Sequence, residues 1–334
     1  MPENPLTKKF FSTRVGRNVL NTVPKVSVVM PAYNCADHIV EAIDSVLAQK
    51  FREYEIIVIN DGSPDTPSLE RAIRTRLDEI VYIRQRNEGA AVARNMGIDH
   101  ARGELIAFLD SDDVWEEDFL TSQYIFLERN NYDMVYCDAL LYGMRSAYRT
   151  TFMETAPSEG EANFESILGL RCNVITSGTL ARRSSLLRAG MFEKERVQAE
   201  DFHLWLRMAK TGAKIGYQRK VLLKYRVHED GLSGDAVNRV ERSINAFERV
   251  RDTIDLMPEQ GASVERTIAG LKADLAVQQG KSLLVEGDYQ AAARAFRTAN
   301  RHRWSPKLAA VSILTRLVPG LVLKAYQNQR PSGV

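Results

Sequence analysis

The sequence predicts an α/β protein with an all-helical C-terminal extension. Short apolar runs rich in β-branched residues alternate with segments of helical spacing between residues 26 and 109, an order typical of right-handed crossovers in a doubly wound sheet. From about Ala236 the apolar spacing is helical throughout. We therefore expect a basic lead-in at 1–24, an α/β domain at 25–235 and a helical region at 236–334.

The first half of the predicted domain alternates strictly between strands and helices. Each strand is a continuous apolar run of the kind buried on both faces of a parallel sheet. Each helix repeats its apolar residues every three or four positions, as Ile39, Ile43 and Val46 do. Pro31 is expected to end the first strand, because proline has no N–H to donate. We predict strands at 26–30, 54–60, 80–83 and 105–109, and helices at 36–50, 69–77 and 89–101.

Beyond Trp115 the pattern is less regular. The helix predicted at 183–189 is followed by Gly190, as expected of a glycine just past a helix end. The helix predicted at 199–209 carries an apolar stripe that includes Phe202, Trp205 and Leu206. Residues 177–179 (SGT) indicate a close approach of the backbone to a neighbouring group. The remaining predictions are helices at 119–129 and 164–170, strands at 133–137, 214–217 and 221–226, and an edge hairpin within 140–157.

The C-terminal region contains two amphipathic helices within 272–303, joined near Gly287. Gly280, Gly287 and the alanines up to Ala299 resemble a single tetratricopeptide-type hairpin. One repeat is too short to form a binding superhelix, so we expect a structural role.

The composition, 44% apolar and 26% charged, is that of an ordinary globular protein. A net charge of +2 argues against a nucleic-acid partner. Cys35, Cys137 and Cys172 are far apart and form no CxxC pair, which indicates reduced thiols in a cytoplasmic protein. No apolar signal core and no run of about 18 apolar residues is present, so we expect neither secretion nor a spanning helix.

Three carboxylates follow the predicted strand at 105–109, namely those of Asp110, Asp112 and Asp113. Ligands of open α/β sheets bind beyond the carboxyl ends of the strands, so these acids are placed to hold a cation or the hydroxyl groups of a ligand. A solvated turn in which Asp113 caps the following helix is the alternative interpretation. The acidic run alone leaves both open.

A series of short motifs follows in order along the chain: 26–34 (VSVVMPAYN), 60–63 (NDGS), 87–89 (NEG), 93–95 (ARN), 103–104 (GE), 108–113 (FLDSDD), 200–201 (ED), and His228 with Ser233. Each motif is weak alone, but in this order they make residues 25–234 resemble a family 2 glycosyltransferase of the GT-A fold. The resemblance implies a Rossmann-like mixed sheet that binds a nucleotide-sugar, flanked by helices. The absence of GxGxxG, GxxxxGK[ST] and GxSxG argues against dinucleotide-dependent oxidoreductases, P-loop NTPases and α/β-hydrolases.

The resemblance implies a metal-bound diphosphate at the acidic strand end. Asp112 would be the chief metal ligand, and Asp110 would bind the ribose hydroxyls, a metal-bound water or the metal. Ser111 is expected to contact the nucleotide-sugar, and His228 matches the family's histidine that reaches the metal or the diphosphate. The implied cation is Mn²⁺ or Mg²⁺, which suits oxygen ligands and stabilises charge on a departing diphosphate.

The resemblance also implies a uracil or thymine base. Asp61 matches the acid that accepts the N3–H of uracil, a donor that cytosine lacks. Tyr33 and the backbone of Pro31 and Ala32 are expected against the base, and Arg94 near the diphosphate. Without the family context, Asp61 would be a turn residue and Arg94 a solvated helix residue.

Asp201 matches the family's catalytic base, which takes the proton from the attacking hydroxyl. Its place in the first turn of a helix favours the ionised carboxylate, because the helix macrodipole is positive there. Glu200 beside it is expected to orient the acceptor or the base. Ordinary helix capping by both acids is the alternative.

The resemblance therefore implies an inverting, metal-dependent hexosyltransferase. It would move a sugar from a UDP- or dTDP-sugar to a hydroxyl of a glycan or lipid-linked acceptor, in surface polysaccharide biosynthesis. One alternative is a catalytically inactive nucleotide-sugar-binding module that acts through its helical tail, although its acidic residues are intact. A sugar nucleotidyltransferase is another, but the basic glycine-rich N-terminal loop expected of it is missing.

Residues 307–326 are apolar, with Lys307, Arg316 and Lys324 at intervals. One interpretation is a helix lying on an anionic bilayer, as a peripheral contact with the inner face of the membrane. The other is a helix packed on the protein itself or on a homodimer partner. We expect acceptor recognition within 140–190 and this tail.

Overall fold

The structure is a computed structural model that describes residues 10–19, 23–143, 150–195, 199–228 and 236–328. The chain divides into two compact units, Met1–Glu229 and Asp230–Val334. Ser233 of the sequence motif lies outside the described residues.

Among the described residues of the first unit, nine strands form one mixed sheet in the order β1-β4-β3-β2-β5-β8-β7-β9-β6. Strands β2 to β5 are mutually parallel, as the alternation predicts, and β7 pairs in parallel with β9. Strands β1, β6 and β8 pair antiparallel to their neighbours. The strands are β1 (Phe10–Val15), β2 (Val26–Ala32), β3 (Tyr54–Asp61), β4 (Ile80–Gln85), β5 (Leu105–Phe108), β6 (Val114–Trp115), β7 (Met134–Tyr142), β8 (Thr179–Arg182) and β9 (Ile215–Arg226).

The expectation that Pro31 ends the first strand is wrong, because β2 continues to Ala32 and Pro31 is in register with Ile59 of β3. On the other side, β5 has already ended at Phe108, opposite Val29. Pro31 therefore has a strand neighbour on one side only, where a missing N–H is tolerated.

Two further strands differ from the sequence pattern. Phe10–Val15, inside the predicted lead-in, is an edge strand paired with β4. It escapes prediction because its solvent-facing residues break the apolar run. The strands expected at 214–217 and 221–226 are one strand, β9, and its pairing shifts register next to Asp138. Within 140–157, where an edge hairpin is expected, the end of β7 pairs antiparallel with the chain at Thr151 through one isolated bridge from Leu140, and a short helix follows.

Helices cover both faces of the sheet. Alternate strand residues point to opposite faces, so Val28 and Ala107 join a cluster with Ile39 and Phe119, whereas Val29 of the other face touches Gly97. The helices of this unit are α1 (Ile39–Leu47), α2 (Thr66–Ala72), α3 (Ala90–His100), α4 (Phe119–Arg129), α5 (Phe152–Thr155), α6 (Phe164–Leu168), α7 (Arg183–Arg188) and α8 (Glu200–Lys210).

The second unit is helical, as predicted. Its described helices are α9 (Ala236–Thr253), α10 (Pro258–Glu286), α11 (Tyr289–His302), α12 (Pro306–Leu317) and α13 (Pro319–Asn328). Among the described residues, no helix is long and apolar enough to cross a membrane.

Helices α10 and α11 form a hairpin around Gly287, which has a left-handed φ of 87°. Asp288 caps α11 by accepting the Ala291 N–H. Buried Gly280 faces Phe296, whose ring lies 2.7 Å from where a Cβ would be. This contact accounts for Gly280, while the likeness to a tetratricopeptide repeat stays a prediction.

Gly280→Ala and Gly270→Ala, in the same helix, should have opposite effects. The alanine at 280 would collide with a buried ring, an overpacking that costs about 1–3 kcal/mol. No atom lies within 4 Å of the Cβ position of Gly270, so alanine there should stabilise α10 by up to about 1 kcal/mol. Hydrogen exchange of the α10 and α11 amides measures both changes. Equal effects at the two sites would contradict the packing described for Phe296.

Candidate active site

The predicted site residues follow strands whose carboxyl ends share one edge of the sheet. In register, Val29 of β2 lies opposite Phe108 of β5, and Ala32 lies opposite Asn60 of β3. The residues after these positions, among them Tyr33, Asp61 and Asp110, therefore leave the sheet at the same edge.

Asp112 and His228 are brought together although 116 residues separate them, with Asp112 Oδ2 2.9 Å from His228 Nε2. The β6–β9 pairing causes this, because it sets Val114 opposite Lys224, a few residues before His228. Both side chains are partly exposed, 34% for Asp112 and 40% for His228. The pair presents a carboxylate oxygen and an imidazole nitrogen to the open edge.

This pair fits a divalent cation that a ligand helps to hold. Among the described residues, no group of three or more His, Cys, Asp or Glu side chains could hold a metal alone. Mg²⁺ is commonly held by one or two carboxylates together with phosphate oxygens of the substrate, and a carboxylate with an imidazole also suits Mn²⁺. Asp112 and His228 would thus supply two donors, and a bound diphosphate and water the remainder.

Asp110, the other acid proposed to bind the metal, forms a salt bridge with an arginine of the protein. Its Oδ1 accepts a hydrogen bond from Arg94 Nη2 at 2.7 Å, while Arg94 Nη1 donates to Glu200 Oε1 at 2.9 Å. Arg94 is buried, and its side chain is only 7% exposed. The expectation of a solvated Arg94 in the absence of family context is therefore wrong.

Opposing effects act on the pKa of Arg94. Burial lowers it, but the carboxylates of Asp110 and Glu200 outweigh burial and raise it above its usual value. The guanidinium also lies over the Phe192 ring, 5.5 Å from the ring centre. Arg94 is therefore a fixed positive charge that links the end of β5 to the start of α8.

Glu200 and Asp201 open α8 after Ala199, which has a left-handed φ of 58°. Burial, followed by repulsion from Asp201, raises the pKa of Glu200, and Arg94 opposes this. Asp201 Oδ2 accepts the Thr176 hydroxyl at 2.8 Å, and its Oδ1 accepts the Phe202 N–H. Asp201 borders a cavity of about 150 Å³, whose other walls include Phe152, Ile167, Cys172, Val174 and Trp205.

A single turn at 176–178 joins the two acidic groups of the site. Thr176 holds Asp201, and the next residue, Ser177, accepts the backbone N–H of Asp110 through its Oγ at 3.1 Å. The Trp115 indole N–H fixes this turn by donating to the Ser177 carbonyl at 2.7 Å. The close approach indicated by the SGT residues is that of Gly178 to Cys137 of β7.

Asp61 is buried, and its carboxylate holds the turn before α3. Its Oδ1 accepts from Gln85 Nε2 and the Glu88 N–H, and its Oδ2 accepts the Gly89 N–H. Within the described part of the chain, Oδ2 accepts this one hydrogen bond, which leaves its second lone pair for a ligand. Tyr33 is 51% exposed beyond β2, where a planar ring can lie against it.

Two residues of the acidic run point away from the open edge. Ser111 is buried and hydrogen-bonds the Cys35 thiol, whose pKa burial raises to about 11. Asp113 accepts the Arg226 N–H through Oδ1, and burial, followed by Asp110 and Asp112, raises its pKa well above the usual range. Asp113 does not cap α4, whose N-cap is Asp118.

Sequence reasoning missed several residues that position Asp112. Its carbonyl oxygen accepts from Arg226 Nε at 2.9 Å and from the Tyr142 hydroxyl at 3.3 Å. Arg226 also lies over the Tyr142 ring and pairs with Glu41. The His38 ring is 5.6 Å from His228, and burial, followed by Arg226 and His228, lowers its pKa. The order of 225–228 (YRVH) places Arg226 two residues before His228, the one sequence signal for it.

Residues 27–190 match the family model described as Glycosyl transferase family 2. An uncharacterized glycosyltransferase of Rickettsia typhi is 32% identical over 222 residues, which are 65% of this chain and 69% of the relative. The WfaP protein of Escherichia coli, a UDP-Glc:alpha-D-GlcNAc-diphosphoundecaprenol beta-1,3-glucosyltransferase, is 29% identical over 226 residues, 67% of this chain and 86% of the relative. In two other Rickettsia relatives the match spans only 19% and 33% of the relative's length.

The fold also matches solved structures. The mannosyltransferase PcManGT of Pyrobaculum calidifontis, in complex with GDP-Man and Mn²⁺, superposes with a TM-score of 0.56 at 20% identity. The match covers 98% of this chain and 92% of that one. The similarity shows the GT-A fold with its helical extension.

Replacing Arg94 with methionine should destabilise the first unit by about 3–5 kcal/mol at neutral pH, because two carboxylates lose a buried cation. Urea unfolding followed by tryptophan fluorescence measures this, since Trp115 and Trp205 are both buried in this unit. Lys224→Met is the matched control. Its pair with Glu116 is exposed, so the loss should stay below about 1 kcal/mol.

The loss of stability in the Arg94→Met variant should depend on pH. The pKa of Glu200 is raised already and would rise further without Arg94, which now lowers it. The stability of the variant therefore falls as pH rises from the usual glutamate pKa through the raised pKa of Glu200. Its loss of stability relative to the wild type is complete above that range. It should shrink on acidification, because a protonated carboxyl needs no cation. The same deficit at acidic and neutral pH would disprove the charge argument.

Proposed function

We propose that this chain, which belongs to glycosyl transferase family 2, transfers a sugar from a UDP- or dTDP-sugar to an acceptor with inversion. The acceptor is a hydroxyl of a glycan or of a lipid-linked molecule. That it is a glycosyltransferase follows from the family. The donor, the acceptor class, the metal and the stereochemistry are the proposal. We further propose that the reaction serves surface polysaccharide biosynthesis, as the lipid-linked acceptor in the name of WfaP suggests.

The observation that carries the proposal is the turn at 176–178. It holds Asp201 through Thr176 and the backbone of Asp110 through Ser177. A transferase needs a base at a fixed distance from the group that binds its donor. Two consecutive residues of one turn meet this requirement. Two acids that only cap helices in a solvated loop would not be held at a fixed distance from each other.

In the proposed reaction Asp201 takes the proton from the acceptor hydroxyl as its oxygen attacks the anomeric carbon. The bond from that carbon to the diphosphate oxygen breaks, and the nucleoside diphosphate leaves with the bonding electrons. A divalent cation held by Asp112 and His228 would offset the charge on the leaving diphosphate. Arg94 holds the carboxylates of Asp110 and Glu200 in place. In the proposed reaction Asp110 faces the ribose of the donor, and Glu200 lies beside the catalytic base, Asp201.

Asp201→Asn should lower the transfer rate by about 10²–10⁴-fold and leave UDP binding intact, because the amide cannot take the proton. Asp112→Ala should instead abolish the Mn²⁺-dependent part of UDP binding together with transfer. The assay is release of UDP from UDP-sugars with a lipid analogue of GlcNAc diphosphate as acceptor, beside a thermal-shift titration of UDP with and without Mn²⁺. Asp99→Asn, at the exposed end of α3, is the control. Wild-type rates from either site variant would refute the assignment.

Asp61→Asn should weaken UDP binding about tenfold more than CDP binding. The amide oxygen can keep the Gln85 and Glu88 donors. The amide NH₂ would then face two donors, the Gly89 N–H of its own loop, which weakens the binding of every nucleotide, and the N3–H of uracil, which weakens the binding of UDP alone. Calorimetric titration with UDP, CDP and GDP measures the preference. Equal losses for all nucleotides would mean that Asp61 only supports its loop, and tighter GDP binding by the wild type would disprove the uracil assignment.

A further inference from the structure

Helix α12 of the second unit has its apolar face turned outward. Ile313, Leu314 and Leu317 are 57%, 45% and 71% exposed, whereas Ser312 and Thr315 on the inward face are 7% and 0% exposed. The Thr315 hydroxyl has no hydrogen-bond partner among the described residues. A helix packed for water has the reverse pattern.

The exposed apolar surface continues beyond this helix. Val318 and Leu321, at the junction with α13, are 39% and 68% exposed, and Trp304 just before α12 is 77% exposed. The inward side of α13 is occupied, since Val322, Leu323 and Tyr326 pack on the cluster of Leu284, Ala292 and Phe296. The outward residues thus form an exposed apolar patch on two helices, and the inward side of α13 is packed against the rest of the second unit.

The charges carried by the segment that forms this patch have one sign. The sequence after Asp288 contains eight Lys and Arg residues and no Asp or Glu. Lys307, Arg316 and Lys324 interrupt the apolar patch, and none of them forms a salt bridge within the part of the chain that is described. Long cationic side chains beside an apolar surface can reach lipid phosphates while their stems stay in apolar contact.

We propose that the outward face of α12 and α13 docks on an anionic lipid bilayer. Ile313, Leu317 and Leu321 enter the boundary between headgroups and acyl chains, where tryptophan is also favoured. The charge pattern favours a bilayer over a second copy of this chain, because a twofold contact through this face would set like charges against each other. The proposal adds to the proposed function and does not depend on it.

Flotation of the full-length chain with vesicles tests the proposal. The wild type should float with phosphatidylcholine vesicles that contain phosphatidylglycerol, less with phosphatidylcholine alone, and less as salt is raised. The double variant Leu317→Gln, Leu321→Gln should lose about tenfold in partitioning per leucine. Replacing Lys307, Arg316 and Lys324 with glutamine should cost about fivefold per cation on anionic vesicles only.

Leu187→Gln is the matched control, since Leu187 is 42% exposed on α7 of the other unit, and it should bind vesicles as the wild type does. Circular dichroism and thermal unfolding verify that each variant is folded. The assay contains no donor or acceptor, so its failure is separate from failure of the proposed reaction. Equal flotation of the wild type and the leucine variant would overturn the proposal. The proposal would also be overturned if the wild type does not float and sediments as a dimer while the leucine variant sediments as a monomer.

Discussion

The buried guanidinium of Arg94 is the interaction on which the arrangement of the site depends. It lies between Asp110, at the end of β5, and Glu200, at the start of α8. Without it, two carboxylates separated by 90 residues in sequence would repel each other in a poorly solvated space. Because Arg94 belongs to α3, which packs on β2 and β3, its position is set by the core of the sheet. The charge of the site is thereby anchored to the most regular part of the fold.

The parallel strands and the helices between them were predictable because burial on two faces leaves a strong apolar signal. The acids at the strand ends were predictable for the same reason, since polar residues directly after such a run must leave the sheet at one edge. The edge strand Phe10–Val15 was not, because an edge strand has a solvated side and its pairing with β4 is nonlocal.

Contacts between distant segments were the least predictable part of the site. The family resemblance named Asp112 and His228 but could not give the β6–β9 pairing that joins them. It named Arg94 without its burial. Thr176, Ser177, Tyr142 and Arg226 carry no local chemical signature, and their roles arise only from the neighbours that folding gives them. Asp113 had an ordinary capping explanation in sequence and a structural one in the fold.

The turn at 176–178 also separates two parts of the first unit with different architecture. Before it, β2 to β5 form a parallel sheet, and Tyr33, Asp61 and Asp110 follow its strands, whereas His228 comes after the turn. After it, β8 reverses the direction of the sheet and leads to α8 with Asp201. Segment exchange between family members should therefore tolerate junctions on either side of this turn and fail within it. Such a chimera takes Thr176 and Ser177 from one parent, so its turn reaches the acid of the other parent only if that parent also pairs threonine with Asp201 and serine with Asp110.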